Sequence, residues 1–198
     1  MANWSLPDDR NRFWLVTFLT VIRIPAGIAL IILLATSTAV TWTVAGISFA
    51  LLALIEITDG LDGYLARRLN VSSEWGAMLD PYSDSVTRLL VYFGLARAEP
   101  ELVWIWVPLV MAFRDVTVAY CRIMISRTGG TVAAKQSGKI KAVVQGFMAF
   151  SAILSPLVFP DAQHITVPVI SLFVIVVTLW SIGQYAESAF ASTKSSEG

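Results

Sequence analysis

The 198-residue chain holds one cysteine, one histidine and few charges, with Asp, Glu, Lys and Arg making up only 14% of it. A lone Cys121 excludes an internal disulfide and has no partner for a metal-binding cluster, so it reads as a packing residue. Net charge is missing too, since 14 basic residues stand against 14 acidic ones. Nothing in that balance marks a polyanionic partner, and a nucleic acid is not expected as one. A charge content far below the roughly one quarter of ordinary soluble domains excludes that class. What takes the place of charge is apolar: 56% hydrophobic residues and a mean hydropathy of +0.70. The expected fold is an all-α integral membrane protein.

A spanning helix needs roughly 20 mostly apolar residues, and six stretches come close: 13–36, 40–60, 77–97, 102–125, 140–159 and 164–187. Six transmembrane helices then make one domain over 1–198, with an N-terminal segment at 1–12 and a tail at 188–198 that frays from Ser192. Trp4, Leu6 and Trp14 beside charged positions fit a short interfacial helix, with a disordered tail as the other reading. The first apolar run follows Asp8, Asp9, Arg10 and Arg12 and is too long for a signal-peptide core, so it is expected to stay as a span. With this topology Arg10, Arg12, Arg67, Arg68, Arg127, Lys135, Lys139, Lys141 and Lys194 fall on one side and Arg97 alone on the other. Both termini are therefore expected in the cytoplasm.

Against this background Asp59, Asp62, Asp80 and Asp84 stand out, in the pattern Asp-x2-Asp-Gly-x2-Ala-Arg-x8-Gly-x3-Asp-x3-Asp. One ionised Asp at the centre of a span costs about 2.5–3.5 kcal/mol on insertion scales, so such a group needs a purpose. At 100° per residue Asp59, Asp62, Gly63 and Ala66 share an arc of about 100°, with Arg67 on its flank. Gly76, Asp80, Ser83, Asp84 and Thr87 form one stripe of the next helix, so each helix offers two carboxylates to one groove. Hard oxygen ligands suit two Mg2+ or Mn2+ ions, which carboxylates bridge at about 3.5–4 Å. Gly60, Gly63 and Ala66 leave room for a ligand, and Arg67 can fork onto phosphate oxygens. The plainer reading has these residues capping helix ends and pairing with Arg67, Arg68 and Arg88, and Asp80-Pro81 does look like a helix start.

The pattern resembles the signature of the CDP-alcohol phosphatidyltransferase family, met at Asp62, Gly63, Ala66, Arg67, Gly76, Asp80 and Asp84, with Asp59 upstream. The resemblance implies a six-helix core that displaces CMP at the lipid-linked phosphorus of a CDP-alcohol. By the same implication Asp59, Asp62, Asp80 and Asp84 bind two divalent ions, and Asp84 also serves as the base. Asp59, Asp62, Gly63, Ala66, Arg67 and Gly76 hold the CDP moiety. A homodimer in the bacterial cytoplasmic membrane, with the active site facing the cytoplasm, is implied too.

Leu19-Thr20-x2-Arg23, Val132-Ala133-Ala134 with Gly138-Lys139-x-Lys141, and Trp180-Ser181-x2-Gln184-Tyr185 are similar to the phosphatidylglycerophosphate synthase branch. That implies CDP-diacylglycerol as donor and a small alcohol phosphate, glycerol 3-phosphate, as acceptor, held by Arg114, Arg122, Lys135, Lys139 and Lys141. The chain departs from the branch at Ser85, where Lys is usual and Arg88 follows one turn later, and at Asp115, Lys135 and Ala142. Lys139 and Lys141 also fit anchoring to anionic headgroups, and Arg114 a simple pairing with Asp115 or Glu56. Arg23 either faces the cavity or forms an internal ion pair. His164, on the opposite face, has no expected catalytic role. Inositol phosphate, inositol or serine are alternative acceptors. An ion-coupled transporter is the reading from another class, but the acidic cluster occurs once and the two halves show no echo.

Overall fold

The computed structural model describes residues 10–71, 73–127 and 136–196. Within them the chain is helical: α1 (Arg10–Val21), α2 (Arg23–Thr36), α3 (Trp42–Arg68), α4 (Glu74–Ala98), α5 (Trp106–Arg127), α6 (Gln136–Val158) and α7 (Gln163–Ser196). Four stretches are long and apolar enough to cross a membrane, namely Arg10–Thr36, Trp42–Arg68, Ile140–Val158 and Gln163–Phe190. Helices α4 and α5 have the length but carry charged residues at mid-helix, among them Asp84, Arg88, Arg114 and Asp115. The protein is thus a multi-pass membrane protein by its apolar helices. Large apolar side chains such as Ile57, Phe113, Val143 and Phe173 lie exposed on the outer faces, as a lipid-facing surface requires.

Several boundaries differ from the sequence reading. The first span is two helices because Pro25 has no N–H to give Val21, the residue four before it. The ladder bond lost is the one to the Val21 carbonyl, while Ile22 keeps helical dihedral angles, φ −59° and ψ −22°, donates to the Phe18 carbonyl at 2.9 Å and accepts from the Ala26 N–H at 3.1 Å. Helix α4 begins seven residues before Pro81, since Ser73 caps it by accepting from the Gly76 N–H at 3.0 Å. Asp80-Pro81 is therefore interior to α4 and not a helix start. Helix α7 runs on through the expected tail to Ser196. Residues 1–9, where an interfacial helix was expected, and Lys135 lie outside the described residues.

The chain divides into two compact units, Met1–Ala98 and Glu99–Gly198. In the first, α2 packs against α3 and α4 while α1 lies on α3. Glycine sets how closely α2 and α4 approach: a Cβ at Gly94 would stand 3.2 Å from the Ile31 Cα. Gly94→Val is therefore expected to destabilise the protein by about 1–3 kcal/mol through overpacking. Gly46→Ala, where a Cβ meets nothing within 4 Å, should instead stabilise α3 by up to about 1 kcal/mol. Thermal unfolding of the two variants in one detergent checks the contrast. In the second unit α7 packs on α5 and α6 over Val107, Met111, Met148, Ile153 and Val174.

Candidate active site

Helix α3 ends just past the first half of the Asp motif, and the way it ends shapes a cavity. Asn70 takes the left-handed conformation at φ 55°, and the N–H groups of Asn70 and Val71 return to the carbonyls of Arg67 and Ala66 at 3.3 and 3.0 Å. This folds Val71 back, buried, against a cavity of about 170 Å³. Asp62, Gly63, Ala66 and Arg67 from α3, with Gly76 and Asp80 from α4, form two of its walls. A Cβ at Gly63 would meet only the mobile end of Arg67, so glycine there keeps the wall low. Helix α1 supplies the remaining wall through Phe13, Val16, Thr17 and Thr20, which the Asp motif alone could not have indicated.

Three of the four aspartates meet at one cation. The guanidinium of Arg23, 1% exposed, donates from Nη1 to Asp59 and from Nη2 to Asp62 and Asp80 at 2.6 and 2.7 Å. Of the two readings open for Arg23, the ion pair is the one found. Thr20 joins it, its hydroxyl donating to Asp62 at 2.8 Å. The Thr20 carbonyl, one residue before the lapse in the ladder, accepts from Arg23 Nε at 3.2 Å and from the Ser83 hydroxyl at 2.5 Å. Asp84 stands apart from this triad: its Oδ1 accepts from Arg88 Nε at 2.5 Å. Arg88 also reaches Glu56 at 3.4 Å and Asp59 at 3.9 Å, so the fourth aspartate is tied to the first through one guanidinium. Arg67 is exposed and makes no ion pair among the described residues.

A second charged cluster is buried in the other unit. Arg114 donates to Asp115 at 2.9 Å and to the Ser181 hydroxyl at 3.0 and 3.3 Å. Lys141, also buried, reaches the same Asp115 oxygen at 3.2 Å. The guanidiniums of Arg114 and Arg122 lie 5.5 and 5.7 Å from the centre of the Tyr185 ring, and Arg122 Nε is buried without a hydrogen bond among the described residues. Arg114, Arg122 and Lys141 thus share one neighbourhood, and the pairing of Arg114 with Asp115 holds as well. Lys139 lies in α6, but its side chain is outside the described residues. Tyr185 went unnoticed as a functional residue because an aromatic in an apolar helix looks like core.

The family model described as CDP-alcohol phosphatidyltransferase matches residues 13–182. The chain belongs to that family. Among curated relatives it is 30% identical over 182 residues to the CDP-diacylglycerol--glycerol-3-phosphate 3-phosphatidyltransferase of Escherichia coli (strain K12), covering 89% of this chain and 93% of that protein. It is 38% identical over 117 residues to the protein of the same name from Bacillus subtilis (strain 168), a match spanning 56% of each chain. The enzyme is therefore a CDP-alcohol phosphatidyltransferase.

The family implies divalent ions, so the fit of the acidic residues to them matters. As they stand, no three acidic side chains among the described residues are grouped around a point where one ion would sit. The reason is geometric, since the Arg23 guanidinium lies among three carboxylates and Asp84 is turned to Arg88. By chemistry the donor set fits: the four aspartates and Glu56 offer hard oxygens and outnumber the two guanidiniums among them.

Proposed function

We propose that this enzyme transfers the phosphatidyl group of CDP-diacylglycerol to glycerol 3-phosphate and releases CMP. The observation that carries the acceptor class is the pair of guanidiniums on Tyr185, buried Arg114 and half-buried Arg122, beside Lys141, a cationic neighbourhood suited to a phosphate-bearing alcohol. Similarity over 89% of the chain to a relative named for glycerol 3-phosphate favours that alcohol within the class.

In this reading Asp59, Asp62, Asp80 and Asp84 hold Mg2+ or Mn2+, which supplies charge for the diphosphate and for the phosphorus under attack. Gly63, Ala66 and Gly76 give the CDP group room in the cavity, and Arg67, which makes no ion pair among the described residues, forks onto its phosphates. Arg114, Arg122 and Lys141, with Lys135 and Lys139, fix the acceptor through its phosphate. Asp84 takes the proton of the attacking hydroxyl, its orientation set by the bond from Arg88 to one carboxylate oxygen. Positioning and fixed charge provide most of the acceleration. Helices α4 and α5 also cross the bilayer, giving six spans with both termini and the site at the cytoplasmic face, as the Lys and Arg distribution favours. A homodimer follows from the family resemblance.

The test is CMP release from CDP-diacylglycerol by the purified enzyme with each of glycerol 3-phosphate, inositol phosphate, inositol and serine. Phosphatidylglycerol phosphate is the expected product, and EDTA should abolish it. Turnover with another alcohol and none with glycerol 3-phosphate would overturn the acceptor assignment and leave the reaction class intact. The acceptor cluster makes a finer prediction. Tyr185→Leu, which removes the ring beneath both guanidiniums, should raise KM for glycerol 3-phosphate several-fold with little change in kcat, and Tyr185→Phe should not, because cation–π attraction of about 0.5–2 kcal/mol per pair needs only the ring.

A further inference from the structure

Arg23 is the most completely engaged charge in the first unit. Four of the five N–H groups of its guanidinium have partners: one goes to the Thr20 carbonyl and three to the carboxylates of Asp59, Asp62 and Asp80. It comes from a different helix than its partners, which lie on α3 and α4. It lies beside the Thr20 carbonyl, which accepts from both the Arg23 Nε and the Ser83 hydroxyl. These are the same three carboxylates that the proposed function assigns to divalent ions. Each carboxylate gives the guanidinium only one of its two oxygens, but a cation seated among all three stands where an ion shared by them would sit and repels it, so the two compete for one place and one set of charges.

We propose that Arg23 is a built-in counter-ion that competes with divalent cations for Asp59, Asp62 and Asp80, so that loading the site requires its guanidinium to give up those carboxylates. The inference rests on the metal-binding reading above. It makes Arg23 a positioning residue that keeps the acidic groups gathered when ions are scarce, at the expense of ion affinity. Without it three carboxylates from two helices would face one another, with Asp62 buried and Asp59 and Asp80 partly exposed, and like charges so placed repel. Arg88, held by Asp84 and Glu56 and only 3.9 Å from Asp59, does not take over that role for Asp62 and Asp80.

The experiment is Mn2+ binding by calorimetry, with thermal unfolding in EDTA and in saturating Mn2+, on the full chain in detergent and on Arg23→Gln and Arg23→Lys. Arg23→Gln should bind Mn2+ at least about tenfold more tightly, because hydrogen bonds to charged groups are worth about 1.5–3 kcal/mol each and tenfold corresponds to about 1.4 kcal/mol. It should also unfold at a lower temperature than the parent in EDTA but close to it in Mn2+. Arg23→Lys, which retains one compact charge and loses the fork, should fall between the two in both measurements and serves alone if Arg23→Gln cannot be purified. Saturable Mn2+ binding by the parent that Arg23→Gln and Arg23→Lys leave unchanged or weaken would overturn the proposal alone. So would equal loss of stability in EDTA and Mn2+, the mark of a purely structural residue. A parent protein with no saturable Mn2+ binding would overturn the metal reading and this inference together.

Discussion

An Asp84→Asn protein is expected to fold, to bind CDP-lipid and to release CMP at least about a hundredfold more slowly than the parent, at the low end of what a positioned base contributes. Asparagine has nearly the same shape, and its carbonyl can still accept the hydrogen bond that Arg88 gives to Oδ1. Arg88 keeps Glu56 and Asp59 beside it, so no buried cation is orphaned. What disappears is the negative charge and the capacity to take a proton from the acceptor hydroxyl. The loss should therefore fall on kcat, with the thermal midpoint in EDTA nearly unmoved. Single-turnover measurement of CMP release, paired with donor binding, separates these effects. A variant that retained a tenth or more of the parental rate would remove Asp84 from the role of base.

The second large effect concerns stability. Arg114→Ala should destabilise the protein by about 3–5 kcal/mol, the usual cost of removing one partner of a buried ion pair. Among the described residues Asp115 would be left with Lys141 as its ion-pair partner, and its Oδ2 is already buried there without a hydrogen bond. Arg122→Ala removes a guanidinium that sits over the same Tyr185 ring, yet it orphans no described carboxylate. Its cost should stay under about 2 kcal/mol, within the range of a cation–π contact. Both variants should raise KM for glycerol 3-phosphate. Thermal unfolding beside acceptor saturation curves checks the divergence, and equal destabilisation by the two substitutions would contradict the distinction drawn between them.

How much of this was readable in the sequence depended on whether the signal was local. The Asp motif was legible because helical geometry converts spacing into shared faces, and the two helices do bring Asp62 and Asp80 to one cavity. Arg23 could be narrowed only to two alternatives, because choosing between cavity and ion pair requires knowing which helices lie beside the start of α2. Thr20 and Ser83 had no assigned part because theirs depend on packing between helices: the Thr20 hydroxyl meets Asp62 of α3, and its carbonyl meets Ser83 of α4. The span expected from residue 77 starts three residues earlier as α4, and the alternative that Asp80-Pro81 opens the helix fails although that pair is a good cap in isolation, because Ser73 makes the cap that forms. Apolar length located the spans well, but it could not decide α4 and α5, whose charges lower the signal that a hydropathy window measures.

The ion pairs of Arg23 tie the first span to helices made after it. In lipid a guanidinium without counter-charges is costly, and those of Arg23 sit on α3 and α4, which the ribosome delivers later. Neutralising Arg23 therefore has to wait until the chain has been made as far as Asp80, which couples the settling of the first span to that of the two helices after it.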